Sequence, residues 1–110
     1  MSITVNLYYK GSNGSARAFA EEMEARGIAD AIRGEEGNER YEYFIPMNDA
    51  ETVLLIDRWK DQESLDKHHA SSMMNEIAKL RERYDLHMSV ERYISDSEGV
   101  QDKDAAFIRK

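Results

Sequence analysis

The order of apolar segments along the chain constrains the fold more than any other feature. Apolar residues that alternate with polar ones are typical of a strand, and apolar residues that recur every third or fourth position are typical of a helix. The first pattern occurs at residues 3–10, 40–47, 52–60 and 86–94. The second occurs at residues 15–32 and at about 61–84. The predicted order is therefore strand, helix, strand, strand, helix, strand.

This order predicts an α+β domain with ferredoxin-like βαββαβ topology, in which one antiparallel sheet carries both helices on one face. A chain of 110 residues has the length of one domain. We assign residues 1–95 to this domain and residues 96–110 to a C-terminal tail. The tail starts with acidic and small residues and ends near Phe107 and Ile108, so we expect it to be flexible or to dock on a partner subunit.

Local signals set the expected limits of the helices. The first helix is predicted to be continuous, with Ser12 or Asn13 as its cap. Its apolar stripe follows spacings of three and four: Ala16, Phe19, Ala20, Met23, Gly27 and Ala31. Asp61 is placed to cap the second helical region, which should break near residues 70–72. Pro46 predicts the end of the second strand or an edge position, because proline has no amide hydrogen for the ladder.

The sheet face opposite the helices is expected to be apolar. Four consecutive residues of the third strand, Val53 to Ile56, are apolar, so both of its faces are apolar. Two helices cover only one face of four strands, and an uncovered apolar patch on the order of several hundred Å² marks an interface. We therefore predict a homodimer with its sheets back to back. The alternative is that these side chains are scattered surface positions, which are common.

Composition and charge limit the chemistry further. The chain has no cysteine, which removes disulfides, thiolate nucleophiles and iron–sulfur clusters. A formal net charge of −7 without a local basic stripe disfavours nucleic acid as a partner. No apolar run approaches the roughly 20 residues that span a bilayer, and the first residues read as a strand rather than a secretory signal. We expect no metal site, no membrane partner and a cytoplasmic location.

Three stretches of the chain resemble the antibiotic biosynthesis monooxygenase (ABM) domain family. They are GNERYEYF at residues 37–44, LLIDRWKD at residues 54–61 and LDKH at residues 65–68. The likeness runs from about Ile3 to Ser95 and implies a dimeric α+β barrel. Characterised members include cofactor-independent monooxygenases of quinols and polycyclic phenols, haem-degrading enzymes and a signal-molecule-processing enzyme. The resemblance thus implies a small-molecule substrate and no bound cofactor.

The same resemblance implicates three residues in catalysis, which are Asn6, Trp59 and His68. A cofactor-free oxygenase needs a substrate that donates electrons, such as an ionised phenol, and a histidine can accept the phenolic proton. Trp59 could stack on a substrate ring, and Asn6 could hydrogen-bond a substrate oxygen. His69 is expected at the surface, because neighbouring helical side chains point about 100° apart. The family often has a second histidine where this chain reads Ser72-Met73, which disfavours a mechanism that needs two.

Four further residues are assigned to substrate binding: Asp57, Tyr41, Tyr43 and Met73. Asp57 could orient His68 or supply charge, and a methionine fits a flexible apolar lining. Each site residue also has a structural alternative. Trp59 and Met73 could be core side chains, His68 a satisfied interior histidine, and Asp57 an outward residue paired with a neighbouring arginine.

The predicted function is a cofactor-independent monooxygenase that acts on a small aromatic, quinol or phenolic substrate. Two alternatives remain open, because a fold hosts many functions. The first is an isomerase or signal-molecule-processing enzyme on the same scaffold, in which His68 moves a proton without consuming oxygen. The second is a non-catalytic protein that binds a small molecule or haem.

Overall fold

The computed structural model describes residues 1–110. Along the chain it contains β1 (Ile3–Lys10), α1 (Ser15–Ala25), α2 (Ile28–Arg33), β2 (Asn38–Phe44), β3 (Thr52–Trp59), α3 (Gln62–His69), α4 (Met73–Arg83), β4 (His87–Ile94) and α5 (Asp102–Ala105). The four strands form one antiparallel sheet in the order β2-β3-β1-β4. The fold is α+β and ferredoxin-like, so this prediction is confirmed. No helix is long and apolar enough to cross a bilayer.

The first helical region is interrupted at Gly27, whereas the sequence predicted one continuous helix. Gly27 has a φ of 76°, in the left-handed region that glycine adopts without steric cost, and α1 and α2 lie on either side of it. The turn changes which residues face the sheet. Ile28, Ala29 and Ile32 are buried. Gly27 and Ala31, which belonged to the predicted apolar stripe, are exposed.

The two helical regions begin with different caps. Neither side chain predicted to cap α1 does so. Instead, the backbone amides of Asn13 and Gly14 each donate to the Glu51 carboxylate at 2.9 Å. At α3 the predicted cap is confirmed, because Asp61 Oδ1 accepts from the Ser64 amide at 2.8 Å. The predicted break near residues 70–72 also occurs, between α3 and α4.

The sheet has one face covered by helices and one open face. Ile3, Leu7 and Tyr9 of β1 are buried under the helices, and in β3 the alternate residues from Val53 to Trp59 are buried with them. The residues between them point to the open face. There, apolar and polar side chains are mixed and partly exposed: Thr4, Asn6, Tyr8, Phe44, Leu54, Ile56 and Arg58.

The edge strand β4 is the most exposed strand of the sheet. All eight of its residues are exposed. It pairs with β1, which places Met88 opposite Tyr9 and Val90 opposite Leu7. These two apolar side chains therefore lie on the helix side of the sheet, yet they are 40% and 54% exposed. The space between the helices and β4 is open as a result.

Candidate active site

The end of β3 carries a buried carboxylate next to the only tryptophan. Asp57 and Trp59 are two residues apart, so both point to the helix-covered face. Asp57 is 5% exposed and Trp59 is fully buried. Trp59 Nε1 donates a hydrogen bond to Asp57 Oδ1 at 2.7 Å. This bond fixes the position of the carboxyl group in an otherwise apolar layer.

The helix α3 brings His68 onto Trp59. The Asp61 cap sets the start of the helix, and Leu65 and His68, three residues apart, both face the sheet. His68 is 4% exposed. Its ring stacks on the indole of Trp59, with centroids 4.9 Å apart and an angle of 27° between the planes.

The turn before β2 supplies a carboxylate partner for this histidine. Gly37 in that turn has a φ of 85°, and a Cβ there would lie 2.1 Å from Ser64 Oγ, so only glycine lets the turn pack on the start of α3. The packed turn places the two carboxylate oxygens of Glu35 3.1 and 3.2 Å from His68 Nδ1. A carboxylate at Nδ1 favours the proton on that nitrogen, which leaves Nε2 as the proton acceptor.

A partly enclosed cavity of about 260 Å³ lies between the sheet and the α3–α4 pair. Five polar or titratable residues line it: Tyr41, Asp57, His68, His69 and Arg81. The remaining lining is apolar and includes Met74, Met88 and Val90. Two larger depressions, of about 750 and about 560 Å³, are more open and contain none of these five residues. The smaller cavity is therefore the candidate active site.

Asp57 has a pKa suited to proton transfer. Burial raises the pKa of Asp57 to about 7, and the negative charge of Glu35 also raises it. The hydrogen bond from Trp59 and the positive charge of Arg81 lower it in part. Near neutral pH the group is thus present as both acid and carboxylate, and can donate or accept a proton.

Arg81 of α4 also lines the cavity. Its Nη2 donates to the hydroxyl of Tyr9 at 2.9 Å, and its guanidinium lies 5.4 Å from the centre of the Tyr9 ring. Its Nε is buried and has no hydrogen-bond partner. The cavity wall thus contains a permanent positive charge with a donor that is not used within the chain.

A family model described as "Antibiotic biosynthesis monooxygenase" matches residues 2–80, well over half of the chain. The chain belongs to the antibiotic biosynthesis monooxygenase family. The match includes Glu35, Asp57, Trp59 and His68, and it ends one residue before Arg81.

Solved structures with the same fold include proteins from this family and others without a stated function. SnoaB, a cofactor-independent oxygenase from Streptomyces nogalater, has a TM-score of 0.71 at 12% identity, covering 87% of this chain and 94% of SnoaB. PA3566 from Pseudomonas aeruginosa has a TM-score of 0.74 at 18% identity, covering 87% and 95%. A conserved protein from Methanosarcina mazei Go1 has a TM-score of 0.74 at 22% identity, covering 87% and 94%. At these identities the likeness shows the fold alone.

One curated relative matches in sequence over a shorter stretch. YcnE of Bacillus subtilis (strain 168), which is named as a candidate monooxygenase, is 29% identical over 49 residues. The match covers 44% of this chain and 52% of YcnE, so it spans about half of that relative. It supports family membership and leaves the substrate of this ABM protein open.

Three of the predicted site residues line the cavity, and two others contact them from behind. His68, Asp57 and Tyr41 belong to the wall. Tyr43 lies behind Tyr41, with the two hydroxyl oxygens 3.2 Å apart. Trp59 does not form the wall that was predicted to stack on a substrate, because it is fully buried beneath His68 and Asp57.

The structure does not bring Asn6 or Met73 to the cavity wall. Asn6 pairs with Ile56 and points to the open face of the sheet, because side chains alternate along β1 and the neighbours of Asn6 face the helices. Its Oδ1 is buried there without a hydrogen-bond partner. Met73 packs against the core, whereas Met74 lines the cavity.

Reasoning from sequence also missed two site residues, and it did not predict that His69 lies at the cavity. Glu35 and Arg81 were not assigned any role. Arg81 could have been found, since Met74, Ile77 and Arg81 recur at spacings of three and four and so share a helix face. Glu35 lies in a turn with no local pattern. His69 is exposed as predicted, yet it lines the mouth of the cavity with its ring 5.7 Å from that of His68.

Proposed function

We propose that this ABM protein is a cofactor-independent monooxygenase of a small aromatic quinol or phenol. The observation that carries the proposal is the cavity with two groups suited to proton transfer, the His68–Glu35 pair and Asp57 with its pKa near 7. A cavity of about 260 Å³ suits a small ring system, since about 150 Å³ is enough to hold benzene. Family membership supports the same reaction class.

In the proposed reaction His68 removes a phenolic proton from the substrate, with Glu35 stabilising the resulting imidazolium. The ionised substrate transfers one electron to O₂, and the resulting substrate radical and superoxide combine to form a carbon–peroxide bond. Loss of a ring proton with cleavage of the O–O bond then leaves a new carbonyl group, and the second oxygen atom departs as water. The four electrons that reduce O₂ come from the substrate, so no other reductant is needed.

In this proposal the remaining residues bind the substrate or position the residues that do. Protonated Asp57 donates a hydrogen bond to a substrate oxygen, and Tyr41 contributes to the same wall. Trp59 positions both His68 and Asp57, through its stacked ring and its indole N–H. Neither Asn6 nor Met73 takes part.

We further propose that the enzyme is a homodimer joined through the open face of the sheet. Leu54 and Ile56 are partly exposed on this face, and Phe44 is 38% exposed beside them. Burial of these side chains against a second copy would remove apolar surface from water. The ferredoxin-like topology supports this arrangement, because it puts helices α1 to α4 on the other face.

Oxygen uptake with a panel of hydroquinones and anthrones tests the proposed reaction. We expect uptake with at least one of them, and His68→Ala should lower the rate by about 100-fold or more. His87→Ala is the matched control, since His87 is exposed on β4 outside the cavity. Unchanged turnover in His68→Ala would remove the proposed base. Tight ligand binding without any oxygen uptake would instead support an isomerase or a binding protein.

A further inference from the structure

The positive charge of Arg81 is not neutralised by an ion pair within the chain. Several other arginines pair closely with carboxylates; Arg33, for example, lies 2.6 Å from Glu24. The side-chain bond of Arg81 goes to the neutral hydroxyl of Tyr9, and no carboxylate lies within ion-pair distance of it. A guanidinium keeps its charge at all ordinary pH values. Arg81 is partly buried, and a charge that is partly removed from water is stabilised by an anionic partner.

Arg81 also lies at the wall of the candidate active site. Arg81 lines the cavity together with Asp57, His68 and His69. Its Nε is buried and has no hydrogen-bond partner within the chain. Asp57 supplies the one carboxyl group of the cavity wall, yet it accepts from Trp59 and its charge is disfavoured by burial. The cavity lining thus contains a guanidinium charge that no ion pair within the chain neutralises.

We propose that Arg81 binds an anionic oxygen of the substrate, so that the cavity selects aromatic acids of the hydroquinone or phenol type over their neutral analogues. This inference rests on the proposed function, and it narrows the substrate class to carboxylated rings. The carboxylate pairs with the guanidinium, which is a charge-assisted hydrogen bond and about twice as strong as a neutral one. The ring then occupies the apolar part of the lining, near Met74 and Val90.

This anchor, the pairing of the substrate carboxylate with the Arg81 guanidinium, also orients the substrate in the cavity. Arg81 is contributed by α4, His68 by α3 and Asp57 by β3, so the three side chains reach the cavity from three different elements. A carboxylate bound to Arg81 would leave the ring hydroxyl free to reach the histidine. Arg81 in this arrangement is a specificity-determining residue, and the proton transfer stays with His68.

Calorimetric binding of gentisate and gentisamide under nitrogen tests the anchor. The two are hydroquinones that differ only in a carboxylate or a neutral carboxamide. Exclusion of oxygen separates binding from turnover. The native protein should bind gentisate on the order of 10-fold or more tightly than gentisamide. Arg81→Gln should abolish this preference, and Arg81→Lys, which keeps the charge, should retain part of it.

Arg83→Gln is the matched control, because Arg83 lies on the same helix but is 59% exposed and pairs with Glu22 outside the cavity. It should keep the full preference. Equal affinity of the native protein for the two ligands would overturn the anchor, as would a preference that survives in Arg81→Gln. The preference is a ratio within one variant, so a modest loss of stability does not affect it. An intact preference without oxygen uptake would support the anchor and contradict the monooxygenase reaction.

Discussion

The two faces of the sheet differ in chemistry although the same strands form both. On the helix-covered face β3 places Asp57 and Trp59 in a buried layer, where loss of water changes the pKa of the carboxyl group. On the open face the alternate residues Ile56 and Arg58 remain partly exposed. A shift of one residue in strand register would exchange these sets. Strand alternation therefore separates the proposed catalytic groups from the proposed dimer surface.

Replacement of Trp59 should have the largest effect on stability. Trp59→Ala removes a fully buried side chain, its stack on His68 and its bond to Asp57, so we expect a loss of about 3–5 kcal/mol in the free energy of unfolding. Phe44→Ala on the open face is the matched control. Phe44 is 38% exposed in a single chain, so at concentrations where the protein is monomeric its removal should cost below about 1.5 kcal/mol. Urea unfolding measures the free energy of unfolding of both variants. Equal losses in the two would contradict the separation of the two faces.

The pH dependence of stability tests the burial of Asp57. Its pKa is raised from an ordinary value of 3.8 to about 7, so the folded protein holds this proton more tightly than the unfolded chain. The contribution of the group is fully present below its ordinary pKa and is lost as the pH rises through about 7. Asp57→Asn, which still accepts from Trp59, should thus be more stable than the native protein at about pH 8, by up to about 4 kcal/mol.

At about pH 4 the native protein and Asp57→Asn should be nearly equal in stability. Asp49→Asn gives a control of opposite sign. The hydrogen bond from Lys10 lowers the pKa of Asp49 to about 2, with further bonds from Thr52 and the Glu51 amide. Asp49 therefore favours the folded state above its ordinary pKa, and its removal should not stabilise the protein at about pH 8. Thermal unfolding of the three proteins across this pH range provides the measurement.

The sequence predicted the covered face better than it predicted the site. Residues 3–10 were predicted as β1 with the observed limits, since alternation is a local property. The cap at Asp61 is likewise local. By contrast, the contact of Glu35 with His68 joins residues 33 positions apart through a turn. Periodicity says nothing about such a contact, because it depends on how the Gly37 turn packs on α3.

The break at Gly27 shows a second limit of reasoning from spacing. The apolar stripe could be continued through Gly27 and Ala31 without any conflict in the pattern. A glycine is permitted inside a helix at a cost of about 1 kcal/mol, so its presence alone did not require an end. Tertiary packing decided the outcome, because the turn lets Ile28 and Ile32 join the core.

A charge on the open face should act on association and leave the fold intact. Ile56→Asp adds a negative charge at the centre of the proposed dimer surface, and we expect the dimer to weaken on the order of 100-fold. Val100→Asp is the matched control, since Val100 is 65% exposed in the tail. Sedimentation at micromolar concentrations measures both variants. A native protein that sediments as a monomer would rule out the proposed dimer.

Removal of the tail should have the smallest effect. Every residue from 95 to 110 is exposed, and the hydrogen bonds of residues 96–110 stay within the tail, such as the bond from the Phe107 amide to the Asp104 carbonyl. The free energy of unfolding of a chain that ends at Ser95 should therefore lie within about 0.5 kcal/mol of the value for the full chain. The comparison should be made at several protein concentrations, because a tail that docks on a partner subunit would stabilise the dimer alone.

A loss of stability that grows on dilution would assign the tail to the interface, with Phe107, which is 90% exposed in a single chain, as the side chain to test by Phe107→Asp. If Phe107→Asp reproduced the effect of the full deletion, the apolar end of the tail would account for the docking. Stability that is unchanged at all concentrations is the result we expect. It would confine association to the open face of the sheet and leave the helix-covered face as the complete framework of the cavity.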